Sequence, residues 1–161
     1  MKFNKWDNVV VETEGNDIIR SVAVSGARKP DGKVTREHAK KYYDLVRSMS
    51  ADVSKIANTI GYSEEQIQEI KNFMFMDKHD LGGTDLEYFE PDYMTEESWK
   101  RLIQGNPQSH DLTLIKYEIM EKELMKEGYS QREARNITSK TYNYSDEASK
   151  FYDKIKEYKK E

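Results

Sequence analysis

Cysteine is absent from the 161 residues, which excludes disulfides and thiolate metal sites and fits a reducing compartment. Long apolar runs are absent too. The opening MKFNKWDNVVVETEG holds no stretch suited to a signal peptide or a membrane span, so a soluble intracellular protein without membrane contact is expected. Repeats and low-complexity segments are missing, as are a Walker loop, GxGxxG, GxSxG and HExxH. No large excess of one charge exists: 26 basic against 30 acidic residues leave −4. That argues against nucleic-acid binding through the whole surface, while a local patch stays open. What is present is a chain suited to one domain with a real core. Apolar residues make up 36% and the mean hydropathy is −0.97, so apolar side chains must be used economically, as amphipathic helices use them. The eleven tyrosines are expected mostly at core edges.

Residues 8–24, NVVVETEGNDIIRSVAV, differ from everything after them. Two β-branched runs flank Glu14-Gly15-Asn16, which reads as a β-hairpin that must pack on helices or pair with another chain. SGARKPDGK (25–33) is a loop. From Thr35 the apolar positions Ala39, Tyr42, Val46, Met49, Val53, Ile56 and Ile60 alternate in steps of three and four, predicting one unbroken helix to Gly61 against a partner helix. Ser63 and Gln66 form a capping box for a helix ending near Met76. KHDLGGTDLEYFEPDYM (78–94) is the longest irregular stretch, a length more often functional than decorative. Thr95 caps a short helix stopped by Gly105.

Ser109 or Asp111 then caps a central helix, SHDLTLIKYEIMEKELMKEG, that stops at Gly128. A second capping box, Ser130 to Glu133, opens the next helix. Ser145 caps the last, whose buried face is Ala148, Phe151, Tyr152, Ile155 and Tyr158. The expected fold is mainly α: an irregular bundle of five to six helices with an N-terminal β-hairpin, in a single domain 1–161 (1–34 hairpin and loop, 35–161 helical core).

Candidate chemistry concentrates on the central helix. Glu118 and Glu121 lie three apart and share a face, so they can serve as general acid and base, as half of a metal site, or as solvated partners of Lys122 and Lys126. His79 and His110 each precede an Asp-Leu pair. One reading sets them beside the two glutamates as ligands or proton carriers. The other makes Asp80 and Asp111 turn or cap residues, with the histidines merely adjacent. Tyr88, Phe89, Tyr93 and Trp99 can grip a peptide or stack on bases, or can form a satellite core under the long loop. Arg28, Lys29, Lys33 and Arg36 read as a solvated basic loop.

Several fragments carry a resemblance together: EHAKKYYDLVR (37–47), IGYSEEQIQEIKNFMFMDKHDL (60–81), YFEPDYMTEESWKRLIQG (88–105), HDLTLIKYEIMEKELMKEGYSQREAR (110–135) and TYNY (141–144). The ensemble resembles a C-terminal domain of phage minor head (head morphogenesis) proteins and related polymorphic-toxin tails, also found as free-standing prophage proteins. The family pattern has His-Glu-x-x-Glu on the central helix and Ala-His on the next. The matching positions here are Tyr117-Glu118-Ile119-Met120-Glu121 and Ala134-Arg135. His79, Glu118 and Glu121 are therefore the catalytic candidates the resemblance implies, while Tyr117 and Arg135 replace histidines and shift the expectation away from an enzyme.

Two functions follow. The first is a phage-derived interaction module, head-associated or inhibiting a host system, working through protein binding in the bacterial cytoplasm or on the virion. The second is a toxin-like hydrolase, such as a nuclease, using His79, Glu118 and Glu121. A protein partner is expected ahead of nucleic acid. No cofactor is expected, a divalent metal being the one alternative.

Overall fold

The structure, a computed structural model, describes residues 32–160. Among them are seven α-helices: α1 Lys33–Ser48, α2 Asp52–Ile60, α3 Glu64–Lys71, α4 Tyr93–Gln104, α5 Ser109–Lys126, α6 Gln131–Thr141 and α7 Tyr144–Lys160. A π-helical turn, Asn72–Met76, continues α3. The described residues hold no β-sheet, only one isolated antiparallel bridge between His79 and Glu87. No described helix is long and apolar enough to cross a membrane. The mainly helical architecture is as the apolar periodicities predict. The hairpin expected over residues 8–24 and the side chain of Tyr158 lie outside the described residues.

The single long helix from Thr35 to Gly61 is not formed; it is two helices. Met49 is extended, with φ −70° and ψ 140°, and α2 starts anew at Asp52. Buried polar partners hold the break. Lys71 Nζ donates to the Met49 carbonyl and to Asp52 Oδ1, each at 2.9 Å, while Trp99 Nε1 donates to Asp52 Oδ2 at 3.3 Å. A carbonyl freed by the break thus finds a cation in place of an intrahelical N–H, which a buried backbone oxygen requires. The heptad spacing still had meaning: Val46, Val53 and Ile56 are buried in one core, reached by two segments instead of one.

Helix ends follow their capping chemistry with small shifts. Ser63 and Gln66 form the reciprocal box, as do Ser130 and Glu133. Asp92, not Thr95, caps α4, accepting from the Thr95 N–H and hydroxyl at 2.8 Å each. Gln108 is the cap position of α5, and Asp111 inside the first turn accepts its N–H at 2.8 Å. Asn143 rather than Ser145 precedes α7, its side chain accepting from the Asp146 N–H. At α4 and α7 a better-placed carboxylate or amide carbonyl two or three residues upstream takes the cap, while at α5 the expected Asp111 makes the bond from inside the first turn. Gly128 has φ +108°, and Tyr129 N–H returns to the Leu124 carbonyl, the left-handed stop that glycine takes without penalty.

The core runs from α1 through α2, α3 and the π turn to Trp99 and Leu102 of α4, Leu112, Leu114 and Ile115 of α5, and Tyr144 and Ala148 of α7. Helix α5 packs against α3, the π turn, α4, α6 and α7. Its C-terminal half, past Ile115, keeps Ile119 and Met125 against the edge of the core and with its other residues forms one wall of a cleft.

Candidate functional site

The cleft has a volume of about 450 Å³. Buried Tyr43, Met74, Leu114 and Tyr144 form its apolar part. The loop before α4 supplies Leu81, Phe89, Glu90, Pro91 and Asp92. Helix α5 supplies Tyr117, Glu118 and Glu121, and α6 supplies Gln131, Arg135 and Ser139. The loop is set by His79: its backbone exchanges hydrogen bonds with Glu87 at 2.7 and 2.9 Å, and its Nε2–H donates to the Phe73 carbonyl at 2.7 Å. The ring stacks on Phe89 at 4.2 Å and meets Phe73 edge-on. Asp80 Oδ1 accepts from the Gly82 N–H in the turn that follows.

Helical spacing puts Glu118 and Glu121 on one face, as the sequence implies, and packing of α6 against α5 buries Glu121 and half-buries Glu118. Glu121 is 3% exposed. Its Oε2 and the Oε2 of Glu118 are shielded from solvent without a hydrogen-bond donor. Burial, and then the charge of Glu121, push the Glu118 carboxyl well above the usual carboxylate range, Asp92 adding to the shift and Arg135 opposing it. Burial likewise pushes Glu121 up to about 7, with Arg135 and a hydrogen bond from Glu118 pulling it back. Two acids this close cannot both ionise cheaply, so they hold a proton between them near neutrality. Tyr117, raised by burial and by Glu121, is met by Arg135. The solvated reading of the two glutamates is therefore set aside by burial.

The sequence-nominated groups divide. Glu118 and Glu121 come together, joined by Tyr117 and Arg135, the two residues standing at the family's histidine positions. His79 is not among the residues lining the cleft; it sits behind Phe89, with its Nε2 engaged by the π turn. His110 is buried in a separate node. Arg101 grips Asp111 through Nε and Nη2 at 2.7 and 2.9 Å, and Nη2 donates to His110 Nε2 at 3.1 Å. Burial, reinforced by Arg101 and only partly offset by Asp111, lowers His110 to about 4. Burial alone would raise the Asp111 carboxyl, but Arg101 and His110 hold it below its ordinary value. His110 packs on Phe151 and Tyr144, tying α4, α5 and α7 together.

The aromatic quartet also separates. Trp99 and Tyr93 are core residues, half-buried Phe89 walls the cleft, and exposed Tyr88 lies under the Arg47 guanidinium at 3.8 Å. Among the described residues no group of three or more His, Asp or Glu side chains is arranged to hold a metal ion. The residues that sequence reading passed over are Tyr43 and Asp92, whose place in the cleft depends on the fold, and the buried pairs of Arg101 with Asp111 and Lys71 with Asp52. A cation ten or nineteen residues from its acid leaves no periodic signal. Compared with known proteins, the chain matches no family model, no curated protein and no solved structure.

Proposed function

We propose that this chain is a phage-derived interaction module that binds a protein partner through the cleft between α5, α6 and the loop before α4. The phage origin rests on the resemblance of its fragments to minor head and toxin-tail domains. The single observation that carries the binding role is the lining itself: two buried carboxylate oxygens without donors face a space walled by tyrosines, Phe89 and methionines. Such a site lacks the groups its partner would bring. Exposed Tyr88 and Leu86 add apolar surface on the same loop. The module acts in the bacterial cytoplasm or on the virion.

The test is capture from host extract by the full chain and by Phe89→Ala/Tyr117→Ala. A partner retained by the first and lost by the second is expected; equal capture by both overturns the reading.

A second reading has its own support. A carboxyl held protonated near pH 7 beside a second carboxyl is the arrangement of acid–base hydrolysis. Here Glu118 and Glu121 would carry the chemistry without His79. A phosphodiester would meet Glu90, Asp92, Glu118 and Glu121 against Arg135 alone, so a neutral or cationic substrate suits this reading better than nucleic acid. Turnover of peptide substrates that Glu121→Gln abolishes would favour it over binding alone.

A further inference from the structure

Acidic groups predominate in the cleft. Four carboxylates line it, against the single guanidinium of Arg135. Asp92 is committed to the N-terminus of α4, and Glu90 stands on the loop wall. Glu121 is the least compensated group: 97% of its surface is buried, its partners are the proton shared with Glu118 and the partial reach of Arg135, and its Oε2, like that of Glu118, meets no donor. Arg135 is exposed on α6 and reaches the pair only in part, being engaged with Tyr117. A buried carboxylate compensated this thinly is costly for a domain to hold. Around the pair, Tyr43, Met74, Phe89 and Tyr117 offer an apolar and aromatic sleeve.

From this geometry, and resting on the binding role proposed above, we infer that the cleft receives a lysine side chain of the partner, its ammonium between Glu118 and Glu121 and its methylenes along the aromatic wall. An ammonium is a compact charge with three donors on a flexible apolar stem. The two oxygens that lack donors would each accept one N–H, and aromatic faces add attraction for the cation. A planar guanidinium needs a broader fork and would compete with Arg135 for the same acids. The guest displaces the proton the two acids share, so binding releases a proton. The groups facing the pair are Tyr117 on its own helix, Arg135 on α6, Glu90 and Asp92 on the loop, Tyr43 on α1 and Tyr144 on α7. Tyr43, Tyr117, Tyr144 and Arg135 are all shifted upward, away from neutrality, whereas Glu121, pushed up to about 7, changes charge between pH 5.5 and 8. Affinity for an ammonium therefore rises across that interval.

The experiment titrates the full-length protein with Nα-acetyl-lysine N-methylamide, following the methyl signals of Met74 and Met94 by NMR. Saturable shifts are expected at pH 8, at least tenfold weaker at pH 5.5. They should be lost in Glu121→Gln, a variant that keeps shape and volume and whose folding is checked by its melting curve. The Nε-acetylated analogue and the corresponding arginine derivative should not produce them. Equal shifts from the Nε-acetylated probe, unchanged binding by Glu121→Gln, or no shifts at all would overturn the inference. Selection of displayed peptides on the same protein separates this failure from failure of the binding role. Peptides that need Phe89 and Tyr117 but contain no lysine would sink the lysine and leave the module standing. Peptides indifferent to both side chains would sink the two together.

Discussion

Two buried charge clusters lie at opposite ends of α5, and their contrast separates what the domain needs to fold from what it offers to others. At the N-terminal end Arg101 clasps Asp111 with two hydrogen bonds and a third donor reaches His110. Opposite charges meet at short range, the histidine stays neutral, and Ser98 and Tyr144 close the shell. At the C-terminal half Glu118 and Glu121 put two acids together on one shared proton, and the Oε2 of each meets no donor from the rest of the chain. The first cluster is complete within the chain. The second is less complete, although both contain residues that a search for titratable groups would select.

The largest effect expected is at the complete cluster. Asp111→Ala leaves Arg101 buried without its acid, and breaking a buried pair in this way costs about 3–5 kcal/mol, a large part of a domain's stability. Urea unfolding at pH 7 measures it; a midpoint near that of the parent would remove the distinction between the clusters. Asp52→Ala, which strands Lys71 in the second compensated pair, should behave alike.

The incomplete cluster predicts the opposite sign. Glu121→Gln removes a charge that burial disfavours, so at pH 8 the variant should be more stable than the parent, by on the order of 1–3 kcal/mol, with little difference at pH 4.5. An acid whose folded value lies above its unfolded one binds its proton more tightly in the folded state. Its stability contribution is thus present below about 4.5 and lost as pH rises to about 7. A Glu121→Gln protein less stable than the parent at pH 8 would mean that the carboxylates are satisfied within the chain.

The histidine of the complete cluster sharpens the comparison from the acid side. Its folded value, about 4 against an ordinary 6.5, means that the unfolded chain takes up the proton first. Stability is intact above about 6.5 and falls as pH drops towards 4, by a few kcal/mol on the order-of-magnitude scale of such shifts. An NMR titration in which His110 charges near 6.5 would show that this end of α5 is open to water. The smallest effects belong to the frame: Ser63→Ala and Ser130→Ala should each cost about 1 kcal/mol, seen as small shifts in melting temperature without change at either cluster.

The frame was the most legible part. Local signals predicted every helix from residue 63 onward, because a capping box, a left-handed glycine and an apolar stripe act within one or two turns. Legibility failed at the junction of α1 and α2, where a lysine twenty-two residues away takes over the carbonyl of Met49. At the cleft, the three-residue spacing of Glu118 and Glu121 could be read directly. Their burial could not, because it comes from α6 and the loop packing over them. Of the two readings open for His79, the one beside the glutamates fails, because its backbone bridge and the Phe73 carbonyl hold it behind Phe89, with Asp80 serving the turn that follows.

By itself, then, the sequence determined the helical period, most helix ends and the pairing of two acids on one face, since each depends on neighbours within a few bonds of chain. Tertiary structure alone decided which buried charges are matched. Asp111 and Glu121 are both acids on α5, and only the helix that crosses each of them, carrying Arg101 onto one and leaving Arg135 at the rim of the other, makes the first a closed ion pair and the second a thinly compensated acid. That outcome depends on distances across helices, to which no spacing along the chain corresponds.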